Sequence, residues 1–208
     1  KTTGITHFII VTGYLRHLVQ KHIGDGSKFN VKIEYAYNPR YNYGNAISLK
    51  AAQKFIKENE TFLLTMSDHI LDTRIIRRAL KNLERKPLLC VDRKLSNPSR
   101  VVEATKVLVN SKGFIVDIGK EIPVWNAIDT GVFVFNDEIF DVIERMDRAG
   151  EHPLTLSRCV KRMAEEGNPL WACDVSGFFW LDIDTPEDVA FAESALGESL
   201  KCRKDGTA

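Results

Sequence analysis

The spacing of apolar and polar positions changes along the chain and separates two kinds of structure. Residues 7–13, His-Phe-Ile-Ile-Val-Thr-Gly, are a short β-branched run closed by glycine, which predicts a fully buried strand. Tyr14, Leu15, Leu18, Val19 and Ile23 then follow at helical spacing until Gly24 and Gly26 stop the pattern. A second strand is predicted over 31–37, followed by a Pro/Asn/Tyr/Gly loop and an amphipathic helix carrying Ala46, Leu49, Ala52, Phe55 and Ile56. A third strand over 61–66 ends at Ser67-Asp68-His69. From about Asp72 another helix presents Ile75, Ile76, Ala79, Leu80 and Leu83 on one face.

Alternating strands and helices with short connections predict right-handed βαβ units and a largely parallel sheet covered on both sides. Beyond residue 88 the pattern changes to strands over 88–92, 104–109, 114–118 and 129–135, with Asn110-Ser111-Lys112-Gly113 as a hairpin turn. That half predicts an antiparallel excursion. Helices over 137–148 and 154–166, short strands near Trp171 and Phe179, and a final helix complete the chain. The last is opened by Thr185-Pro186-Glu187-Asp188, with Thr as N-cap, Pro at the first helical position and acids in the first turn. The expectation is a single α/β domain over 1–208.

The chain has 208 residues, of which 44% are hydrophobic and 27% charged, so disorder is excluded. Lys plus Arg number 29 against 28 for Asp plus Glu, which argues against nucleic acid or an anionic membrane as partner. Phosphate binding, if any, must be local. Cys90, Cys159, Cys173 and Cys202 form no C-x-x-C pair, so free thiols and a cytoplasmic location are expected. No apolar run approaches the roughly 20 residues that span a bilayer, so no membrane insertion is expected. Lys1-Thr2-Thr3-Gly4 is not a signal peptide and lacks Met, which suggests that residues precede it in nature.

Candidate chemistry lies just after strands, because open α/β sheets bind ligands beyond the carboxyl ends of their strands. Asp68 follows one such strand, where a carboxylate holds a divalent metal bridging phosphates, or else caps the next helix. His69 alone reads as structural. In Trp180-Leu181-Asp182-Ile183-Asp184 the alternation puts both carboxylates on one face, and two like charges that close ask for a cation; hard oxygen ligands favour Mg²⁺ over zinc. Alternatively Asp184 belongs to the turn before the final helix and only Asp182 faces the cleft. Lys106 and Lys120 lie beside the excursion strands, as phosphate partners or solvated surface. Gly44-Asn45 precedes a helix where backbone can approach a flat ligand. No nucleophilic triad, G-x-G-x-x-G or Walker loop is present.

Taken in order, Ile9-Ile10-Val11-Thr12-Gly13-Tyr14, Gly44-Asn45, Thr65-Met66-Ser67-Asp68-His69, Glu103-Ala104-Thr105-Lys106, Ile118-Gly119-Lys120, Asp129-Thr130-Gly131 and Trp180-Leu181-Asp182-Ile183-Asp184-Thr185 resemble the sugar-phosphate nucleotidyltransferases, and in particular the inositol-1-phosphate cytidylyltransferases. The resemblance implies a Rossmann-like three-layer α/β/α nucleotidyltransferase fold with a mostly parallel mixed sheet. It further implies that Asp68, Asp182 and Asp184 hold Mg²⁺, that Gly44, Asn45, Ser67 and Asp68 bind the nucleotide, that Lys106 and Lys120 face the acceptor's phosphate as catalytic residues, and that Asp129, Thr130 and Gly131 shape the polyol pocket. CTP and a phosphorylated polyol, inositol 1-phosphate, are the implied partners, and a homodimer is left open.

Two departures qualify the resemblance. The family's opening strand and its L-A-A-G-x-G-x-R-L loop have no counterpart here, so the chain as given is expected to be catalytically incomplete. Ser67-Asp68 stands where Gly-Asp is usual. Another phosphorylated acceptor, such as phosphocholine held in an aromatic cage of Tyr37, Tyr41, Tyr43 and Trp125, or a hexose 1-phosphate, is the alternative within the class. Outside it, a non-catalytic nucleotide-binding regulatory domain would lack the loop naturally.

Overall fold

The computed structural model describes residues 2–94 and 104–205, so Lys1, Arg100 and Glu103 lie outside the described residues, as does the side chain of Cys202. In chain order the elements are β1 (His7–Thr12), α1 (Arg16–Ile23), β2 (Lys32–Tyr37), α2 (Asn45–Ala51), β3 (Phe62–Thr65), β4 (His69–Leu71), α3 (Thr73–Leu80) and β5 (Leu88–Asp92). They continue with β6 (Lys106–Val109), β7 (Ile115–Gly119), β8 (Ala127–Phe135), α4 (Glu138–Arg148), α5 (Leu156–Glu165), β9 (Trp171–Asp174), β10 (Trp180–Asp182) and α6 (Pro186–Asp205).

A six-stranded sheet runs β7-β6-β8-β5-β9, with β3 on β8 as well. β8 is buried along almost its whole length because both of its faces are covered. Phe133 and Phe135 enter one core with Leu89, Val91 and the apolar faces of α2, α4 and α5. The alternate residues Val132 and Val134 enter a second core with Leu88, Cys90 and, from α3, Ile75 and Ala79. Period-two alternation on β5 and β8 therefore feeds two helical layers, and the three-layer α/β/α arrangement follows.

Helix starts are set by short polar side chains. Asp72 accepts the backbone N–H of Arg74 at 2.8 Å, and the Thr155 hydroxyl accepts that of Arg158 at 3.3 Å. At α6 the box is reciprocal, with Asp188 N–H donating to Thr185 Oγ1 at 3.2 Å and Thr185 N–H donating to Asp188 Oδ2 at 3.0 Å. The hairpin at 110–113 closes through Gly113 N–H to the Asn110 carbonyl.

The sheet is mixed as expected, but its parallel part is smaller than the βαβ pattern predicts. Among the described residues the parallel ladders are β1 with β2 and β5 with β9; β3, β5 and β6 all run antiparallel to β8. β3 is drawn to β8 because the apolar Phe62-Leu63-Leu64 matches Phe133-Val134-Phe135 in register. Among the described residues β1 pairs with β2 alone, in a sheet of two. For that reason the residues over 7–13, expected to be fully buried, are half-exposed, and α1 buries no residue, leaving Leu15 and Leu18 in solvent.

Candidate functional site

Asp68 occupies the turn between β3 and β4, and β4 lies antiparallel to β10 in a register that sets His69 opposite Asp182. Beyond that pair, the Ile183 N–H donates to the Asp68 carbonyl at 2.9 Å. Two segments remote in sequence are thus stitched backbone to backbone, and their carboxylates arrive at one place. Donor atoms of Asp68, His69 and Asp182 all lie within 4.8 Å of one another.

His69 sits between the two acids. Its Nδ1 donates to Asp68 Oδ1 at 2.9 Å and stands 3.5 Å from Asp182 Oδ1. The side chain is only 10% exposed. The ring stacks on Trp180, with centroids 6.4 Å apart and planes at 16°, and Trp180 is in turn held by its indole N–H donating to Asp92 Oδ2 at 3.0 Å. Asp182 Oδ1 is buried and accepts no hydrogen bond. Burial raises the Asp182 carboxyl above the usual range, and Asp184, Asp68 and Asp188 add repulsion that His69 opposes.

The floor of this cluster is the Asp129-Thr130-Gly131 stretch of β8. Because β8 runs antiparallel to β3, its beginning lies beside β3's end, and Met66 N–H donates to the Gly131 carbonyl at 3.3 Å. Gly131 has a positive φ of 72°. Its N–H donates to Asp129 Oδ1 at 2.7 Å. Burial pushes the Asp129 carboxyl up to about 6, against the opposing pull of that N–H and of His69, while Asp182 pushes it further up. Thr130 is fully enclosed and its hydroxyl donates to the Cys90 carbonyl at 2.9 Å, so it shapes the stretch by tying β8 to β5.

Lys106 and Lys120 come together next to Asp129. Lys106 pairs with Ile128 on β8 and with Gly119 on β7, its Nζ donates to the Lys120 carbonyl at 2.6 Å, and Asp129 N–H donates to the Thr105 carbonyl at 2.9 Å. Asp184 lies outside the three-residue group and its N–H donates to Asp188 Oδ2 at 3.2 Å, at the start of α6. Ser67 is exposed in the Asp68 turn.

Gly44 and Asn45 belong to a different junction, between α2 and the start of α5. Gly44 has φ 103°, and a Cβ there would overlap the Leu154 backbone. The Asn45 amide oxygen accepts Leu156 N–H at 2.8 Å. Behind them Asp147 on α4 accepts from Arg40 through both oxygens, at 2.8 and 3.1 Å, and from Lys50 at 2.8 Å. These cations hold its carboxyl well below the usual range. Arg16 and Arg40 lie over the rings of Tyr37 and Tyr43, at 4.1 and 4.7 Å from the centroids, so one face of each ring already carries a cation.

Sequence reasoning missed β4 and the place of His69. The signal was present in the apolar pairs Ile70-Leu71 and Trp180-Leu181, each next to an acid, which is what a short antiparallel ladder ending at a site requires.

A family model described as nucleotidyl transferase matches residues 1–199. Among curated proteins, the "Bifunctional IPC transferase and DIPP synthase" of Thermococcus kodakarensis is 33% identical over 93% of this chain and 41% of its own length, and that of Aquifex aeolicus is 34% identical with the same two coverages. The chain therefore spans about two fifths of the length of these relatives. Among solved structures, the inositol-1-phosphate CTP transferase from T. maritima superposes with a TM-score of 0.77 at 26% identity, over 99% of this chain and 80% of that one. A UDP-glucose pyrophosphorylase complexed with UDP-glucose gives 0.75 at 12% identity over 95% and 83%, a likeness of fold.

Proposed function

The chain belongs to the nucleotidyl transferase family, and from that membership we propose that it transfers a cytidylyl group from CTP to inositol 1-phosphate, giving CDP-inositol and pyrophosphate. Membership in a transferase family favours a catalytic role over the non-catalytic regulatory domain. The observation that carries the reading is the meeting of Asp68 and Asp182 beside Asp129, whose neighbouring strands bring Lys106 and Lys120 to the same end of the sheet.

In this reading an oxygen of the inositol phosphate attacks the α-phosphorus of CTP, and the bond to the bridging oxygen of the β-phosphate breaks. Lys106 and Lys120 offset the repulsion between two polyanions and orient the acceptor. Asp129 accepts hydrogen bonds donated by polyol hydroxyls through the oxygen that Gly131 N–H does not contact. Gly44 and Asn45 contribute to the nucleotide side, with Ser67 next to Asp68. The buried, unpartnered oxygen of Asp182 fits a divalent cation, and Asp68 and Asp182 would hold it, with Asp184 adding charge from the following turn. Mg²⁺, when bound, supplies charge neutralisation for the triphosphate.

β1 and β3 each leave one edge unpaired among the described residues, which supports a further strand, carrying the phosphate-binding loop, as part of the working domain. The free thiols of Cys90, Cys159 and Cys173 support a reducing, cytoplasmic setting for the reaction. Pyrophosphate release by the intact enzyme, screened with four triphosphates against inositol 1-phosphate, phosphocholine and hexose 1-phosphates, tests the assignment. Turnover confined to CTP with inositol 1-phosphate is expected, and a preference for any other pair overturns it.

A further inference from the structure

An ordinary magnesium site is built from oxygen, but the two carboxylates here share their space with an imidazole that is buried and fixed from both sides. Trp180 stacks on one side of the His69 ring, and Gly131 lies so close on another that a Cβ there would come within 2.7 Å of Cδ2 and Nε2. With Nε2 turned toward Gly131, the nitrogen that faces the acids is Nδ1, 2.9 Å from Asp68 Oδ1 and 3.5 Å from Asp182 Oδ1. Donor atoms bound at about 2.1 Å to one ion lie about 3.0 to 3.4 Å apart at octahedral or tetrahedral angles. The two edges from Nδ1, at 2.9 and 3.5 Å, each lie about 0.1 Å from that range, and the edge between the two carboxylates is no longer than 4.8 Å.

The geometry points to His69 as a third metal ligand, making the site an Asp-His-Asp set that prefers first-row divalent transition ions, which accept imidazole, over Mg²⁺. This rests on the metal-binding part of the proposed function and extends it. His69 does not need to move for this role; the proton that Nδ1 now shares with Asp68 is lost to solvent as Nε2 takes one up, and the neutral Nε2–H imidazole presents Nδ1 to the ion. Asp182 Oδ1 supplies a second donor that accepts no hydrogen bond from the described residues. Mg²⁺ remains usable through the carboxylates and water, whereas an ion that takes nitrogen is held by all three side chains. The stacking and the absent Gly131 side chain then have a purpose beyond packing, since they fix which ring nitrogen is presented.

Direct binding tests this without reference to turnover. Co²⁺ and Mg²⁺ are titrated into the chain by calorimetry, with the visible absorption of Co²⁺ followed in parallel, for the unaltered protein, His69→Gln and Asp182→Asn. His69→Gln should weaken Co²⁺ by about tenfold or more and shift its absorption, while changing Mg²⁺ affinity by less than about threefold. In the unaltered protein, one imidazole should show paramagnetically shifted resonances on Co²⁺ binding, a readout that does not depend on any variant folding. If no imidazole shifts, or if His69→Gln leaves Co²⁺ binding and absorption unchanged, His69 is not a ligand. If Asp182→Asn also binds Co²⁺ like the unaltered protein, the metal assignment itself is overturned.

Discussion

The His69 ring occupies the space that a side chain on Gly131 would need, with Cδ2 and Nε2 both 2.7 Å from where a Cβ would stand. Gly131 also has a φ of 72°, which other residues adopt only at a cost. Gly131→Ala should therefore destabilise the fold by about 1–2 kcal/mol and displace the ring. Nucleotidyl transfer should fall more steeply than stability, measured by comparing kcat/KM with urea unfolding. Unchanged turnover would show that the ring's position is irrelevant to the reaction.

Asp129 gives the protein a pH dependence of a definite sign. Its carboxyl is raised by burial from 3.8 to about 6, so between those values the folded chain holds a proton that the unfolded chain has released. Stability should fall as pH rises through that window. Asp129→Asn should flatten this part of the profile and gain at most about 3 kcal/mol at pH 7, while acceptor binding is lost. Chemical denaturation from pH 4 to 7 reads it out.

Lys106→Met and Lys120→Met keep the apolar stems and delete the charge. A charge-assisted contact to phosphate is worth about 1.5–3 kcal/mol, so each should lower kcat/KM for the acceptor about ten- to a hundredfold and affect the nucleotide much less. If both variants keep normal acceptor kinetics, the phosphate is held elsewhere. Arg93 is then the described candidate to inherit it, although its Nε already lies 3.6 Å from Asp174.

Asp147→Asn should cost about 2–3 kcal/mol, because it leaves Arg40, Lys50 and His152 facing one another without their shared anion. Asp147 is held below its ordinary value, so its contribution is present above pH 3.8 and lost as pH falls toward its folded value. The difference in urea midpoint between Asp147→Asn and the unaltered protein should narrow on acidification.

Much of this was legible from residue spacing alone. The elements over 31–37, 61–66 and 129–135 were readable because β-branched runs bounded by polar turns leave few options, and the α6 start because Thr, Pro and Asp each have one good position there. Strand partners were less legible. The βαβ rhythm suggested parallel neighbours, but partner choice depends on which apolar faces match across the sheet, and β3 matched β8. Asp68 and Asp182 were identified by their place after strands. His69 was not, since only the β4–β10 register reveals that it stands between them.

The separate pairing of β1 with β2 has a consequence for how the protein breathes. Two strands and a helix with no buried residue have little to hold them once detached from α2, while β5 and β8 are enclosed between two helical layers. Amide hydrogens over 7–37 should exchange with solvent through a partial opening that leaves the six-stranded sheet intact, whereas those of β5 and β8 should wait for global unfolding. Residues 7–37 are thus a cooperative unit of their own, coming apart and reforming on a faster clock than the six-stranded sheet that carries Asp129.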